Sequence, residues 1–317
     1  MSGADGTSLP RFRPLRDLPP FVIAAGLLAF VLRDKDWSAV LAALAGVNLP
    51  LFLLAAGGYM LGYFFLNAGS YWLVYNFFGA RLKLGEVMKA FGACLLPQAL
   101  FPSLGQGLFL LWLVKKQKTP LFQALGNNLF FIYCDLWVMA AVVGAALLLL
   151  PHPPALFTWW FAVLVPALLV AGWYARLGGG RRLFPRLYQS SLLNALRSGT
   201  ARQYGGFLAL RMVWQAGQIF FHSVALAAIG IVAPVGMVGV LVMLMALTTL
   251  LPVAALGFGG PNLVAEFFAP WAAPGHSPAE TALAYGLLFQ TCFLLGRLAI
   301  GAALALPLWR TLWRPEE

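Results

Sequence analysis

The sequence predicts an all-α, polytopic membrane protein of about six spans plus two re-entrant helical hairpins, arranged as an inverted repeat. Three observations predict it. The chain is 61% hydrophobic and 10% charged, with a mean hydropathy of +0.83, whereas a soluble domain carries about 25% charged residues. Apolar stretches of about 20 residues, the length that crosses a bilayer, recur along the chain. Two further apolar stretches are broken in the middle by proline and glycine. No long polar stretch could form an aqueous domain, so residues 1–317 read as one integral membrane domain.

In chain order, residues 1–20 form a cytoplasmic tail bearing Arg11, Arg13 and Arg16. The apolar run Phe21–Leu32 follows. Basic residues followed by about 12 apolar ones resemble a signal peptide. The small-residue cleavage pattern is unconvincing and Arg33-Asp34-Lys35-Asp36 follows directly, so the run reads as a short, uncleaved first span. Over Asp36–Gly46, Trp37, Val40, Leu41 and Leu44 recur at helical spacing, which predicts a helix lying in the interface. Further spans are expected over Leu49–Phe78, Leu121–Leu150, Ala155–Tyr174, Gly206–Ile231 and Ala282–Leu308. The first half covers 21–150. A linking span and basic cytoplasmic loop cover 151–204, the second half 205–309, and a cytoplasmic tail 310–317.

The two broken segments are Phe91–Val114 and Gly236–Pro270. The first has Pro97, Pro102, Ser103, Gly105 and Gly107 in its middle, and the second has Gly257, Gly259, Gly260, Pro261 and Asn262. Proline and glycine interrupt helices. Broken backbone at membrane depth is tolerated where it is buried in protein or lines a cavity. Each segment therefore reads as two half-helices meeting at a polar elbow.

Charge supports this. Arg81, Lys83 and Lys89 precede the first hairpin, and Lys115, Lys116 and Lys118 follow it, so both ends belong on the cytoplasmic side. A crossing segment would instead put Arg176, Arg181, Arg182, Arg186, Arg197 and Arg202 outside. With both hairpins re-entrant, both termini are cytoplasmic. Of 21 basic residues, all but Arg33, Lys35, Arg211 and Arg297 then lie inside. The same bias accounts for the net charge of +11, which in a soluble protein would point to nucleic acid. The basic loop reads as a topology determinant in contact with anionic lipids. Span, hairpin and span over Leu49–Leu150 recur, inverted, over Gly206–Leu308, without a residue-level repeat. Transporters with this layout carry the substrate near the repeat interface.

Ionisable side chains inside a bilayer cost at least about 2.5–3.5 kcal/mol each, so Asp135, Arg211, Glu266 and Arg297 stand out. One reading has them lining a polar cavity, with Arg297 and Arg211 attracting an anionic head group and Asp135 and Glu266 balancing them or exchanging protons. The other is internal pairing, for example of Asp135 with Arg297, with Arg211 reaching the cytoplasmic head groups. His222 shares a helix face with Gln215 and Gln218, and an interhelical hydrogen bond is its expected role. Asn127 and Asn128 fit either a cavity or interhelical bonding. At the elbows, Pro102, Ser103, Gly105, Gly259, Gly260 and Asn262 are candidates, because free N–H groups at a half-helix start bind anions. Cys94, Cys134 and Cys292 lie in apolar segments and read as small buried side chains. No metal spacing, GxSxG elbow or Walker loop occurs.

The Pro-x-x-Gly elbow after Leu96, the turn Lys115-Lys116-Gln117-Lys118 and the following span with Asp135 resemble the lysylphosphatidylglycerol synthase transmembrane region. This is the flippase-like membrane domain of the multiple peptide resistance factor. Leu251-Pro252, Gly259-Gly260 and Glu266, followed by a span with Arg297, resemble that family's second signature. Here the glycines precede Pro261-Asn262, and Phe131-Ile132 replaces the Glu-Arg that often precedes the aspartate. The resemblance covers most of the chain and implies lipid translocation across the cytoplasmic membrane by a standalone member without a synthase domain. The expected function is therefore a lipid flippase or transporter acting on an anionic or phosphate-bearing head group. Membrane lipids are the expected partners, with a lipid-synthesising enzyme as an open second, and neither cofactor, metal nor nucleic acid is expected. A glycosyl- or phospho-transferase acting on a polyprenyl-linked lipid, and a non-catalytic scaffold of a lipid-synthesis complex, remain open alternatives.

Overall fold

Capping residues and prolines decide where the helices of this chain begin. Asp36 caps the first described helix, its carboxylate accepting from Ser38 Oγ at 2.7 Å, Ala39 N at 3.3 Å and Ser38 N at 2.9 Å. These bonds favour the ionised form and hold the Asp36 carboxyl below its ordinary range. Asn48 caps the second helix through Leu51 N, with a proline in the first turn. Thr200 and Gln203 close a reciprocal capping box at the start of the long helix that follows the basic loop.

The computed structural model describes residues 33, 35–100, 102–150, 155–248, 266–273 and 277–312, with only the backbone given at 100, 102–103, 156, 246–248, 266 and 306–312. Among these residues the protein is all-α, with 12 α-helices and no sheet. They are α1 (Trp37–Ala45), α2 (Leu49–Phe77), α3 (Leu84–Leu100), α4 (Pro102–Lys115), α5 (Leu121–Leu149), α6 (Ala155–Arg176), α7 (Gly179–Leu183), α8 (Pro185–Gln189), α9 (Asn194–Ser198), α10 (Ala201–Ala228), α11 (Val235–Thr248) and α12 (Pro278–Leu312). Short 3-10 turns lie at Ser191–Leu193 and Glu266–Trp271. Four helical stretches are long and apolar enough to cross a membrane: Leu49–Phe77, Leu121–Leu149, Phe157–Arg176 and Pro278–Ala305. The outward faces fit a lipid environment, since α6 exposes Trp159, Val163, Leu169 and Val170.

The expected span Phe21–Leu32 lies outside the described residues, as do Gly259, Gly260 and Asn262. The interface helix is present as α1, with Val40 buried and Leu41 exposed. The spans expected over Leu49–Phe78, Leu121–Leu150, Ala155–Tyr174, Gly206–Ile231 and Ala282–Leu308 fall on the helices α2, α5, α6, α10 and α12, of which α10, with its buried polar residues, is not among the four long apolar stretches.

Helices α2 and α10 lie antiparallel along their whole length. Asn48 N donates to Ala228 O at one end, and Gln203 Nε2 donates to Phe77 O at the other. Between these ends, Gly58 and Gly62, one turn apart on α2, receive the rings of Phe221 and Trp214. Small residues at this spacing let helices approach closely where no hydrophobic drive between them exists.

The first broken segment folds back on itself, with Phe91 against Phe109 and Gly105 against Cys94 and Gln98. Its details differ from expectation. Pro97 does not end α3, which continues to Leu100. The next helix, α4, opens at Pro102, a position that tolerates proline because no N–H is needed there. Gly105 and Gly107 lie inside α4 rather than breaking it. A Cβ on Gly105 would stand 2.7 Å from Cys94 O, so this glycine serves close approach rather than an elbow.

Helix pairings follow a pattern that survives exchange of α2, α3 and α5 for α10, α11 and α12. Helix α3 packs on α12 as α11 packs on α5. Helix α2 touches α12 as α10 touches α5, and α2–α3 matches α10–α11. The α3–α12 contact is close at Gly301, where an added Cβ would stand 2.6 Å from Leu96 N. Gly301→Val should therefore push the two helices apart at a cost of about 1–3 kcal/mol, lowering the melting temperature in detergent micelles by several degrees. Gly57, with open space around it, should accept Ala with an unchanged or raised melting temperature. Equal effects at the two sites would show that the α3–α12 approach is not close-packed.

Candidate functional site

Helix α10 carries a polar stripe through an otherwise apolar interior. Arg211, Gln215, Gln218 and His222 recur at three- and four-residue intervals, so they share one face, and all four are buried. That face turns to α2, whose Tyr59, Tyr63 and Asn67 recur at four-residue intervals.

Asp135 is the middle residue of the 29 in α5, about 20 Å of helix from either end. Arg211 grips it with two bonds, Nε to Oδ1 at 2.7 Å and Nη2 to Oδ2 at 2.9 Å. Its third donor, Nη1, reaches Asn67 Oδ1 at 3.0 Å, and Phe131 lies under the guanidinium at 4.8 Å. This two-pronged geometry is the strongest form of a carboxylate–arginine pair. The partner of Asp135 is thus Arg211 rather than Arg297. Nor does Arg211 reach for the cytoplasmic head groups, because it is 3% exposed. The antiparallel register of α2 and α10, with Asn67 opposite, fixes it in the middle of the bundle.

Arg297 has a different environment. It is 6% exposed, with Phe293 under its guanidinium at 4.3 Å. Its one hydrogen bond runs from Nη1 to Gln98 O at 3.2 Å. The sequence explains that bond. Gln98 O would ordinarily accept from the N–H four residues on, but that residue is Pro102, which has none. Arg297 supplies the missing donor at the hairpin's turn. The Nε of Arg297 is buried with no partner, and no carboxylate faces this side chain among the described residues. Tyr63 joins the two arginines. Its hydroxyl donates to Gln98 Oε1 at 3.1 Å, beside the carbonyl that Arg297 bonds, and its own carbonyl accepts at 2.7 Å from Asn67, the residue that bonds Arg211.

An aromatic cluster fills the space beside Arg297. Tyr59 meets Trp214, His222, Phe289 and Phe293, with ring centres between 5.1 and 5.5 Å. His222 Nδ1 shares a short hydrogen bond with Tyr285 Oη on α12 and stacks on Phe289 at 4.3 Å, which is the interhelical role expected of it. Gln218 donates to Gln215 at 2.6 Å. Asn127 is buried with its Nδ2 unpartnered, and Cys94 and Cys134 are buried free thiols.

The remaining candidates separate. Pro102 and Ser103 begin α4, and Glu266 begins the short turn that packs on α12, with their side chains outside the described residues. Three of the loop arginines have structural partners. Arg176 donates to Gly199 O and covers Tyr204, Arg197 donates to Tyr188 O, and Arg181 lies over the Tyr188 ring. Arg182, Arg186 and Arg202 stay exposed. Asn67, Tyr59, Tyr63 and Gln98 are site residues that the sequence did not single out. The available signals were the four-residue recurrence along α2 and the proline four places after Gln98.

Among the described residues, these features define an all-α protein with four helices long and apolar enough to cross a membrane and two buried arginines in its interior. Compared with protein-family models, curated proteins and solved structures, the chain finds no match.

Replacing Asp135 by Leu should cost about 3–5 kcal/mol, because Arg211 would keep a buried charge without a counter-ion. Adding Arg211→Met should recover most of that loss, as read by unfolding of the purified variants in micelles. A double variant as unstable as the sum of the two single ones would show that the pair is not energetically coupled.

Proposed function

We propose that this protein is a lipid flippase or lipid transporter of the cytoplasmic membrane, moving a lipid with an anionic or phosphate-bearing head group. In this reading about six spans and two re-entrant hairpins form an inverted repeat with both termini in the cytoplasm. The head group passes through the polar interior while the acyl chains stay in lipid. The observation that carries the proposal is Arg297, a buried guanidinium at the turn of a helical hairpin, with a free Nε and no facing carboxylate among the described residues. A charge held in a low-dielectric interior without a counter-ion is costly, and a phosphate oxygen is the ligand that a guanidinium binds best. The aromatic cluster around Tyr59 gives the site an apolar wall. The exchange symmetry of the helix pairings supports the inverted repeat, and the resemblance to the lysylphosphatidylglycerol synthase transmembrane region supports the lipid substrate.

The transferase alternative needs Asp135 as its acid or base. In the resting structure that carboxylate is held by two hydrogen bonds from Arg211, which favours the transporter.

The test is lipid scrambling in liposomes. Fluorescent phospholipids in both leaflets are exposed to dithionite, which bleaches the outer one. Quenching should exceed that of protein-free liposomes, and Arg297→Ala should remove the excess while melting within a few degrees of the parent. Excess quenching that survives Arg297→Ala would move the site elsewhere. No excess with folded protein, across anionic and zwitterionic lipids, would count against the transporter reading.

A further inference from the structure

The Asp135–Arg211 pair is unequal. The Arg211 side chain is 4% exposed and that of Asp135 is 24% exposed, so the carboxylate is the partner with an open side. Arg211 is also held from elsewhere, by Asn67 on Nη1 and by the Phe131 ring beneath it. If the carboxylate turned away, the guanidinium would stay, with Nε and Nη2 aimed at the vacated place. Two oxygens of a phosphate ester present the same edge to those donors as a carboxylate does.

The surroundings then dictate what happens to Asp135. The elements packed against α5 are α2, α4, α6, α9, α10, α11 and the turn Ser191–Leu193. From α2, Asn67 bonds Arg211 and Tyr71 stacks on Phe131 beneath it, and α10 brings Arg211 together with Arg202, which is exposed in its first turn. Helix α11 and the turn hold no titratable side chain. The cations of α4, α6 and α9 are Lys115, Arg176 and Arg197, all in the last helical turn. Among the described residues, Arg211 is the cation paired with Asp135. A carboxylate displaced in the middle of the bundle would therefore be left ionised in a low-dielectric interior, where desolvation favours the neutral acid.

We infer that the Asp135–Arg211 pair is a proton-linked anion-exchange site: a lipid phosphate takes the carboxylate's place on Arg211, and Asp135 takes up one proton from water. The balance is simple. One carboxylate becomes one carboxylic acid, one phosphate negative charge replaces one carboxylate charge on the guanidinium, and no bond of the lipid is broken. The site deepens the transport reading and rests on it, because it supplies a coupling to the proton gradient. Loading the site from one side and unloading it on the other would carry one proton with each lipid. The sign follows directly. Binding consumes a proton, so affinity should fall as pH rises, by about tenfold per unit where Asp135 is ionised in the free protein.

The experiment is calorimetric titration of the purified full chain with dihexanoyl phosphatidylglycerol below its micelle concentration, and separately with inorganic phosphate. Two buffers of different ionisation enthalpy give the protons taken up per ligand bound. The expected result is close to one proton per lipid in the parent protein. In Asp135→Asn it is no proton, tighter binding at high pH and an affinity that no longer varies with pH. The count on the parent protein stands whether or not that variant folds. Lipid binding without proton uptake would overturn the inference and leave the lipid reading intact. No lipid binding at all would overturn both. Proton uptake with inorganic phosphate but not with the lipid would overturn the assignment to a lipid head group.

Discussion

Two guanidinium groups in the middle of an apolar helix bundle set the terms for the rest of the interior. A buried arginine must be given partners or it destabilises the fold, and the two are treated differently. Arg211 receives a carboxylate, an amide oxygen and an aromatic face, drawn from α5 and α2. Arg297 receives one backbone carbonyl and one ring. The first arrangement ties three helices together at mid-length, whereas the second leaves donor capacity unused.

The means of bringing these groups together is close helix approach. Gly58 and Gly62 let α10 settle onto α2, which brings Arg211 opposite Asn67. Gly301 and Gly92 let α12 settle onto α3, which brings Arg297 to the carbonyl that Pro102 leaves free. The same glycines that contribute no side-chain packing of their own thus decide which polar groups meet. Backbone irregularity has a similar part. Pro102, which has no N–H, leaves the Gln98 carbonyl without its helical donor, and the Arg297 side chain fills the place.

The exchange symmetry of the packing gives the two halves of the bundle matched frames with unlike contents. Helix α12 meets α3 and carries Arg297. Its counterpart α5 meets α11 and carries Asp135. One frame therefore presents a cation and the other an anion, and Arg211, on the central α10, is drawn to the anion. That leaves Arg297 without a carboxylate among the described residues. In the resting structure the distribution of charge over an equivalent pair of interfaces makes Arg211 a tie and leaves Arg297 with an unpartnered Nε among the described residues.

Much of the fold was legible in the sequence because a lipid-facing helix is a composition problem. Long apolar runs, prolines at helix starts and charged breaks between them located α1, α2, α5, α6, α10 and α12 to within a few residues. The same reasoning picked out Arg211, Arg297, Asp135 and His222, since a polar group amid apolar neighbours is visible in one dimension. It failed where three-dimensional register decides. Pro97, Gly105 and Gly107, read among the residues that break the first hairpin, lie inside α3 and α4, because proline can bend a helix without ending it and glycine can serve close approach. Composition named the charged groups, but pairing depends on which helix faces touch, and in this protein the small residues at α2–α10 and α3–α12 decide that. The partnership of Asp135 with Arg211, and the incomplete one of Arg297 with Gln98, were therefore settled only by tertiary packing.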